Sequence, residues 1–257
     1  DKIRASIRFK HFKKTYDENI LDIKGGLNDV VMNNSPIDID KLIEGTNEIL
    51  TANRNSLQLF DMLHSMRQFD DLTYVHSVNV ALIASILGQW LKFSEKDIRI
   101  LTISGLLHDI GKIMIPNEIL TKPGKLTVAE YNIMKQHVNF GYEKVKNQNI
   151  DIRIKEACLL HHEKCDGTGY PFGLKSDHIP AVAKIIAIAD VYDAMTSARV
   201  YRGALCPFEV IDTMYKDAFT KFEPEYILPF LKNVASSYIN NDVRLSDGRI
   251  GKVVLIN

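Results

Sequence analysis

The sequence has little cysteine and no excess of charge of either sign. Its 257 residues include only three cysteines, Cys158, Cys165 and Cys206, and no two of them form a C-x-x-C pair. This odd set offers no disulfide framework and indicates a reducing compartment. Lysine plus arginine and aspartate plus glutamate each number 32, so the net charge is zero. That balance argues against a generally basic surface for a nucleic acid polymer.

Long apolar runs, internal repeats and low-complexity segments are also lacking. No apolar run reaches the roughly 18 residues expected of a membrane span, and no secretory signal is visible. We therefore expect a cytoplasmic domain with no membrane segment in this stretch. Because the sequence begins at Asp1 rather than at a methionine, we expect it to be a piece of a longer protein, which is membrane-anchored or soluble.

The residues that are present can bury a sizeable core, and most of them follow a helical period. Hydrophobic residues make up 46% of the chain, which is ordinary for a globular protein. The period changes only near the end, where two short alternating runs flank the turn Ser246-Asp247-Gly248 and predict a β-hairpin. We predict an all-α fold, a helical bundle with N-terminal helices and a small C-terminal β-hairpin.

Capping residues and prolines indicate where the helices begin. After the break at Ser35-Pro36, either Asp38 or Asp40 can cap the second helix. Ser94 can cap a helix that runs to His108. Further helices are predicted from the capping box Thr127-Val128-Ala129-Glu130 through Met134 and His137, over Asp151 to Glu163, and from Pro180, Pro207 and Pro224.

The histidines are not scattered at random. His108-Asp109 and His161-His162 each follow an apolar helical run, and Asp190 closes another such run. Because an unpaired buried charge is costly, each needs a partner, and one metal cluster would satisfy them together. Imidazole and carboxylate ligands suit iron, manganese or zinc better than magnesium or calcium. For any one of these histidines alone, a hydrogen-bonded core residue is the alternative.

Helix geometry adds two expectations near these histidines. Lys112 lies four residues after His108, so a continuous helix would place both on one face. A lysine there suits a phosphate oxygen, although a surface lysine is the alternative. His161 and His162 point about 100° apart on a helix, so both can ligate only if the metals lie between them or the helix ends there. The glycine-rich stretch 166–171 favours an ending.

An ordered series of motifs runs from about Leu72 to about Phe230. It comprises Val75-His76-Ser77-Val78-Asn79, Leu107-His108-Asp109-Ile110-Gly111-Lys112, Lys135-Gln136-His137, His161-His162-Glu163, Asp166-Gly167-Thr168-Gly169-Tyr170-Pro171 and Ala189-Asp190-Val191-Tyr192-Asp193. This series resembles the HD-GYP family of bacterial cyclic di-GMP phosphodiesterases, a branch of the HD phosphohydrolase superfamily.

The resemblance implies a binuclear centre of two divalent transition-metal ions, most readily iron and otherwise manganese. The implied metal ligands are His76, His108, Asp109, His137, His161, His162 and Asp190. Asp109 bridges the ions in this scheme, and Asp109 and Lys112 are the catalytic residues. The implied substrate-binding residues are Lys112, Tyr170, Asp193, Arg199 and Arg202. Among them, the lysine and arginines hold phosphates, the tyrosine stacks on guanine, and the aspartate orients Lys112 or the ligand. The alternatives are a solvated helix face for the arginines, packing on the core for Tyr170 and a structural role for Asp193.

One position departs from part of the family. Some members carry a glutamate four residues before the first motif histidine, where it helps to hold a third metal. Here that position is Leu72, while Asp70 and Asp71 are out of register. We therefore predict two metals rather than three, and inefficient hydrolysis of the linear product to GMP.

The resemblance also implies a reaction, partners and a division of the chain. The implied reaction is hydrolysis of cyclic di-GMP to linear pGpG. A binding module with negligible turnover and a hydrolase for a mixed cyclic GMP-AMP are the alternatives.

A homodimer through the N-terminal helices and a diguanylate cyclase (GGDEF) domain at the GYP loop are expected partners. We assign residues 1–65 to a helical region that connects, dimerises or packs on the core, 66–236 to the HD-GYP catalytic domain, and 237–257 to a short, truncated β tail.

Overall fold

The computed structural model of the protein describes residues 6–53, 59–60, 62–63, 72–197, 205–240, 242–244 and 247–255. Its α-helices are α1 (Ile7–Asn33), α2 (Ile39–Ala52), α3 (Leu72–Trp90), α4 (Glu95–Leu107), α5 (Asn117–Leu120), α6 (Val128–Met134), α7 (His137–Val145), α8 (Ile152–Leu160), α9 (Ala181–Thr196), α10 (Pro207–Asp217) and α11 (Pro224–Ser237). Short 3-10 helices cover Ile110–Met114 and Ser176–His178. The antiparallel strands β1 (Asp242–Arg244) and β2 (Ile250–Lys252) form the predicted hairpin, so the predicted fold class is confirmed.

Local capping chemistry begins several of these helices where the sequence predicts. The Asp38 carboxylate accepts the backbone N–H of Lys41 at 3.1 Å, which decides between the two candidate caps of α2. Ser94 caps α4, and Thr127 forms a complete capping box with Glu130. Each cap satisfies an N–H group that has no partner within its helix.

Two predicted helices are shorter than expected. The helix predicted through Met134 and His137 is broken into α6 and α7. At the break, the N–H of Gln136 donates to the Ile133 carbonyl at 3.0 Å, and the Met134 carbonyl accepts a hydrogen bond from the His137 imidazole at 2.7 Å. The helix predicted to reach Glu163 ends at Leu160. There the His162 carbonyl accepts the N–H of Tyr170 in the following loop, at 3.2 Å. Both predictions of a continuous helix are wrong at these ends, but the ending at His161 agrees with the one that the glycine-rich stretch 166–171 favours.

The N-terminal helices pack on the same hydrophobic core as the rest of the bundle. Phe12 and Tyr16 of α1 and Ile43 and Ile49 of α2 are each at most 2% exposed, and they join the cluster formed by α3, α4 and α9. This packing matches the alternative in which these helices cover the main core. The boundaries at residues 65 and 236 stay predictions.

Three observations concern the chain as a whole. Among the described residues, no helix combines the length and the apolar character that a membrane crossing requires. All three cysteines are free thiols, as the sequence predicts. Helix α3 is buried on every side over residues 76–88, with the consecutive Val80, Ala81 and Leu82 at 0% exposed, which is typical of a central core helix.

The backbones of α3 and α4 approach very closely at Gly105. A Cβ atom on Gly105 would lie 2.4 Å from Cα and 2.5 Å from N of Ala81. No side chain fits there unless the two helices move apart. Since α3 carries His76 and α4 leads into His108, this contact sets how near the two histidines lie.

We expect Gly105→Ala to lower the free energy of unfolding by about 1–3 kcal/mol, because it overpacks a backbone contact. Gly25→Ala is the matched control, since Gly25 lies in α1 with open space around its Cα and should gain about 0.5–1 kcal/mol of helix stability. Urea denaturation of both variants measures the difference. Equal stability of the two variants would contradict the close contact.

Candidate metal centre

Seven histidine and aspartate side chains from separate elements meet in the interior. They are His76 on α3, His108 and Asp109 just after α4, His137 at the start of α7, His161 and His162 just after α8, and Asp190 on α9. All except His162 are buried. The structure therefore brings together every residue that the resemblance implies as a metal ligand.

The Asp109 carboxylate lies at the middle of this cluster. Its Oδ2 atom is 3.2 Å from Nε2 of His108 and 3.6 Å from Nε2 of His76. Its Oδ1 atom is 3.3 Å from Nε2 of His137 and 3.7 Å from Nε2 of His161. The two oxygens of one carboxylate thus face two different sets of imidazoles.

The donor atoms fall into two groups, each compact enough to hold one ion. His76, His108 and Asp190 form the first group, and Asp109 with His137, His161 and His162 forms the second; within each group the ligand atoms lie within 4.8 Å of one another. Imidazole and carboxylate donors in such numbers suit a borderline transition metal.

Backbone carbonyls hold three of the imidazoles in one tautomer. Nδ1 of His108 is 2.8 Å from the Gly105 carbonyl. Nδ1 of His137 is 2.7 Å from the Met134 carbonyl, and Nδ1 of His161 is 3.0 Å from the Ala157 carbonyl. Because a carbonyl only accepts, Nδ1 carries the proton in each ring. The lone pair is then on Nε2, which faces Asp109, as a metal ligand requires.

Charge in the cluster keeps both carboxylates ionised. Burial alone raises the pKa of Asp109, but the neighbouring His108 and Lys112 outweigh it and hold that pKa well below its usual range. Burial likewise raises the pKa of Asp190, yet the hydrogen bond from His76 and the nearby His162 bring it well below its usual range. An ionised carboxylate is the form that binds a cation.

Burial disfavours the charged form of three histidines in the cluster. Burial lowers the pKa of His137 to about 3 and also lowers the pKa values of His108 and His162. His76 is the exception, since its pKa is raised to about 9. Burial lowers it, but the hydrogen bonds to Asp190 and Asp193 outweigh burial. A cation that binds His76 therefore displaces a proton from its Nε2 atom.

Two buried atoms in the cluster have no hydrogen-bond partner among the described residues, namely Nε2 of His108 and Oδ1 of Asp109. An unsatisfied buried polar atom costs roughly 1–3 kcal/mol. Both atoms point to the middle of the cluster, where a cation would satisfy them together. The residues therefore fit a metal site.

Lys112 reaches the site by a different route from the one predicted. Helix α4 ends at Leu107 and a 3-10 helix follows, so His108 and Lys112 do not share one helical face. The Lys112 ammonium instead pairs with Oδ2 of Asp109 at 2.5 Å. The geometric argument from spacing is wrong, although the lysine does lie at the cluster.

The loop after His162 places Tyr170 over the cluster. Its ring stacks on the His162 ring, with centroids 4.7 Å apart and an angle of 25° between the planes. Glu163, which is 4% exposed, holds the loop because its carboxylate accepts the N–H groups of Phe172, Gly173 and Leu174 at 2.7, 3.2 and 2.8 Å. One buried carboxylate thus orders the segment that carries Tyr170.

The other predicted substrate-binding residues differ in placement. Asp193 is 1% exposed and bonds to Nδ1 of His76 at 2.7 Å, so the structure brings it to a histidine rather than to Lys112. Arg199 and Arg202 lie outside the described residues. The side chain at Leu72 is also not described, so the prediction of two metals rather than three is untested there.

Sequence reasoning missed two residues that support the site. Asn79 donates to Asp193 at 2.9 Å, and Glu163 holds the loop. Both stand inside the quoted motifs. A signal was available, because polar side chains within apolar helical runs need hydrogen-bond partners when buried.

Fold and site together define a helical protein with a buried histidine and aspartate cluster suited to metal ions. The HD domain family matches residues 43–226, and the chain belongs to that family. The recognition made from the ordered motifs is confirmed.

Curated relatives share much of this chain. It is 37% identical over 190 residues to the cyclic di-GMP phosphodiesterase PA4108 of Pseudomonas aeruginosa, which covers 74% of this chain and 46% of the relative. It is 30% identical over 216 residues to 3'3'-cGAMP-specific phosphodiesterase 2 of Vibrio cholerae, which covers 82% of this chain and 40% of the relative. The chain spans about half the length of the first curated relatives it matches.

A solved structure shows the same fold. Bd1817, an HDG"Y"P protein from Bdellovibrio bacteriovorus, superposes with a TM-score of 0.65 over 91% of this chain and 75% of its own. At 17% sequence identity the likeness is one of fold alone.

We expect Glu163→Gln to loosen the loop that carries Tyr170, because an amide cannot replace a charged acceptor of three N–H groups. A hydrogen bond to a charged group contributes about 1.5–3 kcal/mol, so amide exchange at residues 172–174 should accelerate about 10- to 100-fold. Hydrogen–deuterium exchange measures this, with the exposed Glu118→Gln as control. Unchanged protection at residues 172–174 would show that Glu163 does not hold the loop.

Proposed function

We propose that this chain carries the metal-dependent phosphodiesterase domain of a bacterial protein that hydrolyses cyclic di-GMP to linear pGpG. The observation that carries the proposal is the placement of Asp109. Its two oxygens face two separate groups of metal-binding side chains, and Lys112 pairs with it at the edge of the cluster.

The proposed centre is binuclear, and Asp109 would offer one carboxylate oxygen to each of the two ions. His76, His108 and Asp190 would hold one ion, and His137, His161 and His162 the other. Iron is the preferred metal and manganese the next, because imidazole-rich sites with carboxylates suit both. When bound, two such ions supply Lewis acidity toward a phosphodiester and lower the pKa of a water molecule.

The protein's own residues supply binding and charge. Lys112, with a side chain 17% exposed, would neutralise negative charge on the phosphate as it develops. Tyr170 would stack on guanine, with the Lys135 ammonium 6.0 Å from the ring centroid. Arg199 and Arg202 stay proposed phosphate contacts, and Asp193 a proposed ligand-orienting residue.

The identity of the proposed substrate is inferred from the names of the relatives, and those names include a second cyclic dinucleotide. One relative is named a cyclic di-GMP phosphodiesterase, and another is named specific for 3'3'-cGAMP. Hydrolysis of a mixed cyclic GMP-AMP is therefore the second candidate function.

The proposal also includes a homodimer through α1 and α2, a GGDEF domain as partner at the GYP loop, and a cytoplasmic location.

We expect Asp109→Asn to lose bound metal and activity together, because an amide offers no anionic oxygen to either ion. Metal ions contribute several kcal/mol to such reactions, so turnover should fall about a thousandfold or more. Metal analysis on anaerobically purified protein and a product assay on the same sample measure both. Asp177→Asn, at an exposed carboxylate, is the matched control. Full turnover by metal-free Asp109→Asn protein would contradict the proposed metal-dependent function.

We expect metal-replete protein to turn over cyclic di-GMP faster than 3'3'-cGAMP and to accumulate pGpG, with GMP appearing more slowly. Chromatographic product analysis on both substrates measures the preference. Faster turnover of 3'3'-cGAMP would establish the second candidate instead. Tight binding of both dinucleotides without any pGpG would identify a regulatory binding module and contradict an enzymatic role.

A further inference from the structure

A buried chain of hydrogen bonds leads from α1 to the cluster. The Tyr16 hydroxyl donates to Oδ1 of Asn79 at 2.5 Å, and Nδ2 of Asn79 donates to Oδ1 of Asp193 at 2.9 Å. Oδ2 of Asp193 lies 2.7 Å from Nδ1 of His76, whose Nε2 lies 2.9 Å from Asp190. Tyr16, Asn79 and Asp193 are at most 4% exposed, so water does not substitute for these bonds.

The direction of each bond follows from the chemistry of its groups. An ionised carboxylate only accepts, so Asn79 must present its amide nitrogen to Asp193, and His76 must present a protonated Nδ1. The amide oxygen of Asn79 then needs a donor, and the Tyr16 hydroxyl is placed to be one. With its proton on Nδ1, His76 offers the lone pair of Nε2 to a cation.

His76 also differs from the other histidines in what holds it. His108, His137 and His161 each bond through Nδ1 to a carbonyl three or four residues earlier in the chain. His76 instead depends on Asp193, which is 117 residues away. Its orientation is therefore set by tertiary packing, including the position of α1.

We infer that Tyr16 is a positioning residue for the metal centre, acting through Asn79 and Asp193 on the tautomer and orientation of His76. The inference rests on the proposed metal-binding function. Because a hydrogen bond weakens steeply when its geometry is lost, a displacement of α1 relative to α3 is felt at His76. The position of α1 thereby affects the affinity of the group of His76, His108 and Asp190 for its metal ion.

The test is Mn²⁺ binding by the whole chain carrying Tyr16→Phe, which removes the hydroxyl and keeps the ring. Partners behind a metal ligand commonly change metal affinity 10- to 100-fold, so one of the two Mn²⁺ binding steps should weaken about tenfold. Electron paramagnetic resonance measures the concentration of free Mn²⁺ during a titration and thereby gives the affinity of both binding steps. Thermal denaturation of the metal-free protein separates lost stability from lost affinity.

Tyr74→Phe is the matched control. Its hydroxyl also joins α3 to α1, through Asn28 at 3.2 Å, but this bond does not lead to His76. Both variants should lower the Tm of metal-free protein by about 2–4 °C, and only Tyr16→Phe should weaken Mn²⁺ binding. Equal Mn²⁺ affinities of the two variants would overturn the inference.

A double-mutant comparison keeps the inference testable if one variant folds poorly. Asn79→Ala should weaken the same Mn²⁺ step, and Tyr16→Phe added to it should cost nothing further, because both act through one chain of bonds. Additive losses would overturn the inference. If wild-type protein retains no Mn²⁺, the proposed metal function fails as well, whereas normal wild-type binding with unaffected variants overturns only the role of Tyr16.

Discussion

The negative charge on Asp109, buried to 1% exposure, is the constraint on which the rest of the structure depends. An ionised carboxylate in an apolar interior is tolerated only when positive charge or donors surround it. Here the positive charge comes from the Lys112 ammonium and from His76, while the Nε2 lone pairs of His108, His137 and His161 face the same carboxylate. Because the lone pair of these three imidazoles is on Nε2, their protonated Nδ1 atoms need acceptors elsewhere, and this need shapes the backbone around the cluster.

Helix ends meet that need. The last carbonyls of a helix have no partner within it, and α4, α6 and α8 all end beside the cluster. Their free carbonyls at Gly105 and Met134 accept the Nδ1 protons of His108 and His137. Close backbone contact completes the geometry. A Cβ atom on Gly111 would lie 2.0 Å from the carbonyl oxygen of His137, so the turn after Asp109 sits directly against the start of α7.

Support for the centre extends to elements far from it in sequence. Glu163 orders the loop over one side, and the chain from Tyr16 through Asn79 and Asp193 reaches the other side. Ligand orientation by such outer contacts is a general property of metal sites. In this protein the N-terminal helix contributes Tyr16 to these contacts.

The sequence by itself determined what local interactions decide. Caps at Asp38, Ser94 and Thr127 and the all-α class with its hairpin could be read from residues within one turn of each other, and the ordered motifs identified the family. The structure was needed to show the partner of Lys112, which is three residues away, and the partner of His76, which tertiary packing brings from 117 residues away. Lys112 turns to Asp109 because α4 stops one residue before His108, and His76 meets Asp193 from another helix. Periodicity records which face of a helix is apolar, but it does not record which distant side chain packs against that face.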